Sequence, residues 1–149
     1  MGYSNIHGLR TAVSLVSSRT VVLLADGSAI AAGSSHTVVL MQDGSVRAFG
    51  SNQYGKLGLG DTDTRGDNPE EMGTNLPPVD LGGLRAEAIS AGSDHTCAAL
   101  EDRTVRCWGR NSNGQLGSSS FSSRGHQPDQ MGSSIPSVPL SSPLLKCGV

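Results

Sequence analysis

Ala31-Ala32-Gly33-Ser34-Ser35-His36-Thr37 and Ser90-Ala91-Gly92-Ser93-Asp94-His95-Thr96 are two versions of one stretch, set at a sequence offset of 59. The match continues outward. Asp43-Gly44-Ser45-Val46-Arg47-Ala48-Phe49-Gly50 corresponds to Asp102-Arg103-Thr104-Val105-Arg106-Cys107-Trp108-Gly109. Asn52-Gln53-Tyr54-Gly55-Lys56-Leu57-Gly58 corresponds to Asn111-Ser112-Asn113-Gly114-Gln115-Leu116-Gly117. Without a gap, residues 32–81 and 91–140 share 21 of 50 positions. The chain is a tandem array, and each repeat is a unit that buries its apolar face only against a neighbour.

Two ragged copies flank the good ones. Arg19-Thr20-Val21-Val22-Leu23 matches His36-Thr37-Val38-Val39-Leu40 at an offset of only 17, so a first copy has lost most of its length before the next one starts. Cys147-Gly148 resembles the Ala-Gly that opens a repeat. The expected organisation is a degenerate partial repeat over 1–30, a repeat over 31–89, and a repeat over 90–149 that is worn at its C-terminal end. A chain of 149 residues holds about two and a half such units, and the expectation is a fragment of a larger ring.

Each unit reads as strands. Thr37–Met41 and Ser45–Phe49 are β-branched or apolar, and they flank Gln42-Asp43-Gly44. A type I turn ending in a left-handed glycine makes such a three-residue hairpin loop. The second copy has Arg103 in the glycine position, and holding it there costs about 1 kcal/mol. Val79–Leu81 and Ala86–Ser90 read as two more short strands, and no segment shows helical periodicity. The spacing predicts an all-β chain, a partial β-propeller built of four-stranded antiparallel blades.

Composition agrees. Glycine is 20 of 149 residues and aromatics are 3%, which suits short strands and tight turns better than one thick core. A net charge of −2 marks no nucleic-acid footprint, so direct nucleic-acid binding is not expected. No apolar run is long enough to span a membrane, and Met1–Ile6 has no charged region leading into an apolar one, so no membrane contact or secretion is expected. The default compartment is then the cytoplasm or nucleus. Gly2 would invite myristoylation, but Ile6 stands where that motif needs Ser or Thr.

Gly-x-x-His-Thr, then Asp-Gly-x-Val-x-x-Phe/Trp-Gly, then Asn-x-x-Gly-x-Leu-Gly resembles the repeat of the regulator-of-chromosome-condensation family. The resemblance covers nearly all of residues 10–148. Its signature residues here are Gly33, His36, Gly50, Gly55 and Gly58, and in the second copy Gly92, His95, Gly109, Gly114 and Gly117. It implies blades of a seven-bladed propeller. A WD blade would end in Trp-Asp, whereas here the aromatic precedes glycine. A kelch blade carries Gly-Gly at a strand end, and Gly82-Gly83 stands elsewhere.

Chemistry is sparse. His36 and His95 recur with no acid recurring beside them, so they read as structural histidines bonded to backbone within the blade rather than as bases or ligands. Asp61-Thr62-Asp63-Thr64-Arg65-Gly66-Asp67 imitates the start of a calcium loop, but Arg65 and Met72 occupy ligand positions. Arg65-Gly66-Asp67 spells an adhesion tripeptide whose counterpart is Arg124-Gly125-His126. With 101–103 as the hairpin loop, Cys97 faces Cys107, close enough for a disulfide in an oxidising setting. No catalytic set, metal site or cofactor fingerprint is visible, and no enzyme is expected.

The expected function is a non-catalytic protein–protein interaction scaffold, with loops 59–78 and 118–137 as the recognition surface. The first loop carries Asp61, Asp63, Arg65, Asp67, Glu70 and Glu71, while the second is nearly uncharged. Self-association through open blade edges is a further expectation. The family resemblance implies two alternatives. One is guanine-nucleotide exchange on a small GTPase. The other is the propeller portion of a multidomain ubiquitin ligase.

Overall fold

In a computed structural model of the chain, the residues described are two strands at 12–16 and 19–23, known by their backbone, and all of 28–140. The opening and closing segments, with Cys147 and Gly148, lie outside the described residues. Eight strands follow in order: β1 (Ala12–Val16), β2 (Arg19–Leu23), β3 (Ala29–Ala32), β4 (His36–Leu40), β5 (Val46–Gly50), β6 (Ala86–Ala91), β7 (His95–Leu100) and β8 (Val105–Gly109). Each strand pairs with its sequence neighbour in antiparallel fashion, giving one sheet ordered β1-β2-β3-β4-β5 and another ordered β6-β7-β8. No α-helix occurs among the described residues.

The hairpin loops explain the register. In the first, Gly44 is left-handed at φ 80°, and the amide of Met41 donates to the Ser45 carbonyl. In the second, Arg103 takes the same conformation at φ 67°. Pairing then runs Val38 opposite Ala48 and Cys97 opposite Cys107.

Two features differ from the sequence expectation. The first concerns blade size. Strands β3-β4-β5 and β6-β7-β8 are three-stranded units, and beside them stand only isolated bridges, Gly50 to Arg65, Gly109 to Arg124 and Arg106 to Ser137. Gly50 and Gly109 hold φ near 105°, which turns the chain out of the pleat there. The second concerns Val79–Leu81, which is irregular. Pro77 and Pro78 remove two ladder donors just before it and Gly82-Gly83 turns away after it. Val79 still donates to the Val46 carbonyl, and Val79 and Leu81 are buried.

The five-stranded sheet has its cause in the short offset of the worn copy. Moved along the chain by that offset, β1, β2 and β3 fall on β3, β4 and β5. Strand β3 therefore serves twice, as third strand of the worn copy and first strand of the next, and it joins both into one sheet. The three-stranded units begin at β3 and β6.

One apolar core joins the two blades. Val38, Leu40, Val46 and Ala48 of the first blade pack with Ala98, Leu100 and Trp108 of the second, and Leu57 and Ile135 close the cluster. Strand β6 lies against β3 and β4. Small side chains dominate this seam, so the sheets approach closely with few bulky groups.

Candidate functional site

The seam between blades is built from the signature residues. The imidazole of His36 packs against Gly33 so closely that a Cβ there would lie 2.2 Å from the ring. His95 covers Gly92 in the same way, at 2.0 Å. That close approach is why glycine precedes histidine by three. His36 Nε2 lies 3.0 Å from Thr96 Oγ1, a partner in the next blade. Thr96 in turn donates to the Lys56 carbonyl at 2.8 Å.

Lys56 is the centre of this network and escapes sequence reading, because its counterpart is Gln115. Its side chain is 1% exposed. The ammonium donates to Ser35 Oγ at 2.8 Å and to Asp94 Oδ1 at 2.9 Å. Its carbonyl also accepts from the Trp108 indole at 3.2 Å. The hydrogen bond from Lys56, with its charge and that of Arg110, holds the Asp94 carboxyl below the usual carboxylate range. Arg110 also lies over the Tyr54 ring, 5.2 Å from its centroid. The Asn52–Gly60 turn of the first blade thus plugs into the second. Gly55 backs onto Gly125, Gly58 touches Trp108 and Met131, and Gly60 donates to the Gly125 carbonyl.

The long loops share an inner frame. Asn52 donates to the Asp61 carbonyl, and Asn111 donates to the equivalent Ser120 carbonyl. Glu71 accepts from the Gly66 and Asn68 amides, and those bonds lower its pKa. Gln130, its counterpart, accepts from Gly125 and His126. Arg65 pairs with Asp61 at 2.6 Å. Asp61, Arg65 and Glu71 are therefore spent on loop shape, and the charges presented outward are Asp63, Asp67 and Glu70, all exposed. Glu70 is held at φ 70°, with its carbonyl accepting from Asn75.

Cys97 and Cys107 are joined in a disulfide with Cα atoms 4.1 Å apart. Among the described residues, no group of three or more His, Cys, Asp or Glu side chains is placed to hold a metal ion. No described helix is long and apolar enough to cross a membrane.

Two family models of the regulator of chromosome condensation (RCC1) repeat match the chain, one over residues 28–56 and 87–115 and the other over 43–99. Over 64 residues the chain is 39% identical to the ultraviolet-B receptor UVR8 of Arabidopsis thaliana, a match spanning 43% of this chain and 13% of that protein. Among solved structures it resembles yeast RCC1 (Prp20), crystallised bound to Kap60, with TM-score 0.55 and 18% identity over 91% of this chain and 37% of that one. Human WBSCR16 gives TM-score 0.56 and 16% identity over 92% of this chain and 41% of that one. The chain therefore spans well under half the length of each of these proteins.

Proposed function

The chain belongs to the regulator of chromosome condensation (RCC1) repeat family, and from that premise we propose that it is a non-catalytic scaffold that binds proteins through loops 59–78 and 118–137. One observation carries the reading. The two loops keep the same main-chain frame while their outward side chains differ, acidic in the first and neutral in the second. Catalysis needs a converging set of groups, whereas a scaffold needs a constant frame with varied loops. The partner of the first loop is a protein surface with basic groups facing Asp63, Asp67 and Glu70. A relative of the same fold holds a protein, Kap60, in its crystal structure, which supports the class of partner and not its identity.

The test exchanges residues 61–71 for 120–130. The incoming segment brings its own frame bonds from Ser120, Arg124 and Gln130, so strand content by circular dichroism should stay unchanged. Captured proteins, compared quantitatively between the two forms, should change. An unchanged set would place recognition elsewhere, and nucleotide exchange or hydrolysis by the purified chain would overturn the non-catalytic reading.

A further inference from the structure

The long loops of the two blades meet over a half-open cavity of about 240 Å³. The first blade supplies Leu59, Pro77 and Pro78 to its wall, and the second supplies Pro128 and Met131. Small-molecule sites run to roughly 300–1,000 Å³, so this cavity suits one side chain rather than a whole ligand. Its shape is fixed before anything enters. Gly58 and Gly60 line it and are buried, and neither has room for a side chain. A Cβ on Gly60 would lie 2.9 Å from Pro128, and one on Gly58 would lie 2.6 Å from the Trp108 indole nitrogen. The exposed rim is proline, whose φ is locked.

The lining holds one charge, the exposed Asp80, and no basic group. Asp80 Oδ1 accepts from the Gly82 amide at 2.8 Å, and Oδ2 has no hydrogen-bond or ion-pair partner among the described residues. The arginines of this region are committed elsewhere. Arg106 donates to the Leu81 and Gly132 carbonyls, and Arg85 pairs with Glu101. An apolar slot with a half-used carboxylate beside it selects a long aliphatic stem that ends in a cation. With one carboxylate oxygen already taken, the site favours a compact ammonium over the two-pronged guanidinium of arginine.

We propose that this cavity receives a lysine side chain of a partner protein, with its stem between the prolines and its ammonium on Asp80. The inference rests on reading the two loops as a protein-binding surface and takes that reading further. Both loops wall one pocket, so a single partner spans them.

The test uses the whole chain, with Nα-acetyl-lysine methylamide as the probe and NMR of the backbone amides as the readout. Saturable shifts should centre on Gly58, Gly60 and Gly82, with a Kd of about 1–10 mM, as one side chain allows. The norleucine analogue keeps the stem and lacks the charge, and it should bind about threefold more weakly or worse. Asp80→Asn keeps an acceptor for the Gly82 amide and removes the charge. It should erase the preference for lysine while the circular dichroism of the strands stays unchanged. The exchange of residues 61–71 leaves every lining residue in place, so failure of the loop reading and failure of the pocket are told apart. Equal or tighter binding of the norleucine or arginine analogue, a lysine preference that survives Asp80→Asn, or the absence of any saturable shift would overturn the proposal.

Discussion

Arg103 is a residue in the wrong backbone region for its type. It holds φ 67° where the first blade has Gly44 at 80°, and its Cβ makes that conformation costly. Arg103→Gly should therefore stabilise the fold by about 0.5–1 kcal/mol, the gain being trimmed by glycine's greater freedom when unfolded. Thermal unfolding checks the sign, and a lower melting temperature would show that Arg103 makes a compensating contact. Asp94 offers a second test. Its carboxyl accepts from buried Lys56 and titrates below the ordinary value of 3.8. A carboxyl lowered in this way contributes stability that is complete above its unfolded pKa and is lost as pH falls through the folded one. Asp94→Asn should cost about 1–3 kcal/mol at neutral pH, as the charge facing the buried Lys56 ammonium is removed while an acceptor oxygen stays. The gap between the two proteins should narrow as pH drops below 3.8. A gap that does not change with pH would mean the pair is not ionic in solution.

At the scale of the element, the β7-β8 hairpin sets Cys97 opposite Cys107. Peptide mapping after oxidation should find that bridge ahead of any involving Cys147, and reductant should lower stability by about 2–3 kcal/mol, as expected for a short closed loop. A mapped Cys97–Cys147 bond would contradict the register. Hairpins were the most legible elements in the sequence, because Asp43-Gly44 and the alternation around it specify turn and pairing locally. The bridges from Gly50 to Arg65 and from Gly109 to Arg124 were not legible, because residues 64–66 carry no alternating pattern and stand in a stretch that reads as loop. The apolar residues of Val79–Leu81 suggested a strand, and they are buried as loop instead because two prolines lead into them. Of the six candidate loop residues, Asp61, Arg65 and Glu71 turn inward to shape the loop, a division that depends on contacts a linear reading does not contain.

In the whole molecule, the tandem repeat becomes a stack in which each blade is completed by its neighbour. The repeat itself was plain in Gly33-x-x-His36 and Gly92-x-x-His95. What those residues do was not, because Thr96, which bonds His36, is in the other blade and the Lys56–Asp94 pair breaks the repeat pattern, its counterpart positions holding Gln115 and Ser35. Glycines at Gly55 and Gly58 are explained only when the second blade is set against them. The central claim is that these two blades form one packed frame on which the loops vary. The chain's single tryptophan reports on it directly, since Trp108 belongs to the second blade, is fully buried, and donates to Lys56 of the first. The decisive measurement is Trp108 fluorescence followed through thermal unfolding beside the circular dichroism of the strands. A packed frame gives the blue-shifted emission of a buried indole, lost in one transition that coincides with loss of β signal. Water-like emission while the β signal is intact, or two separate transitions, would show that the blades fold without packing on one another and would contradict the account.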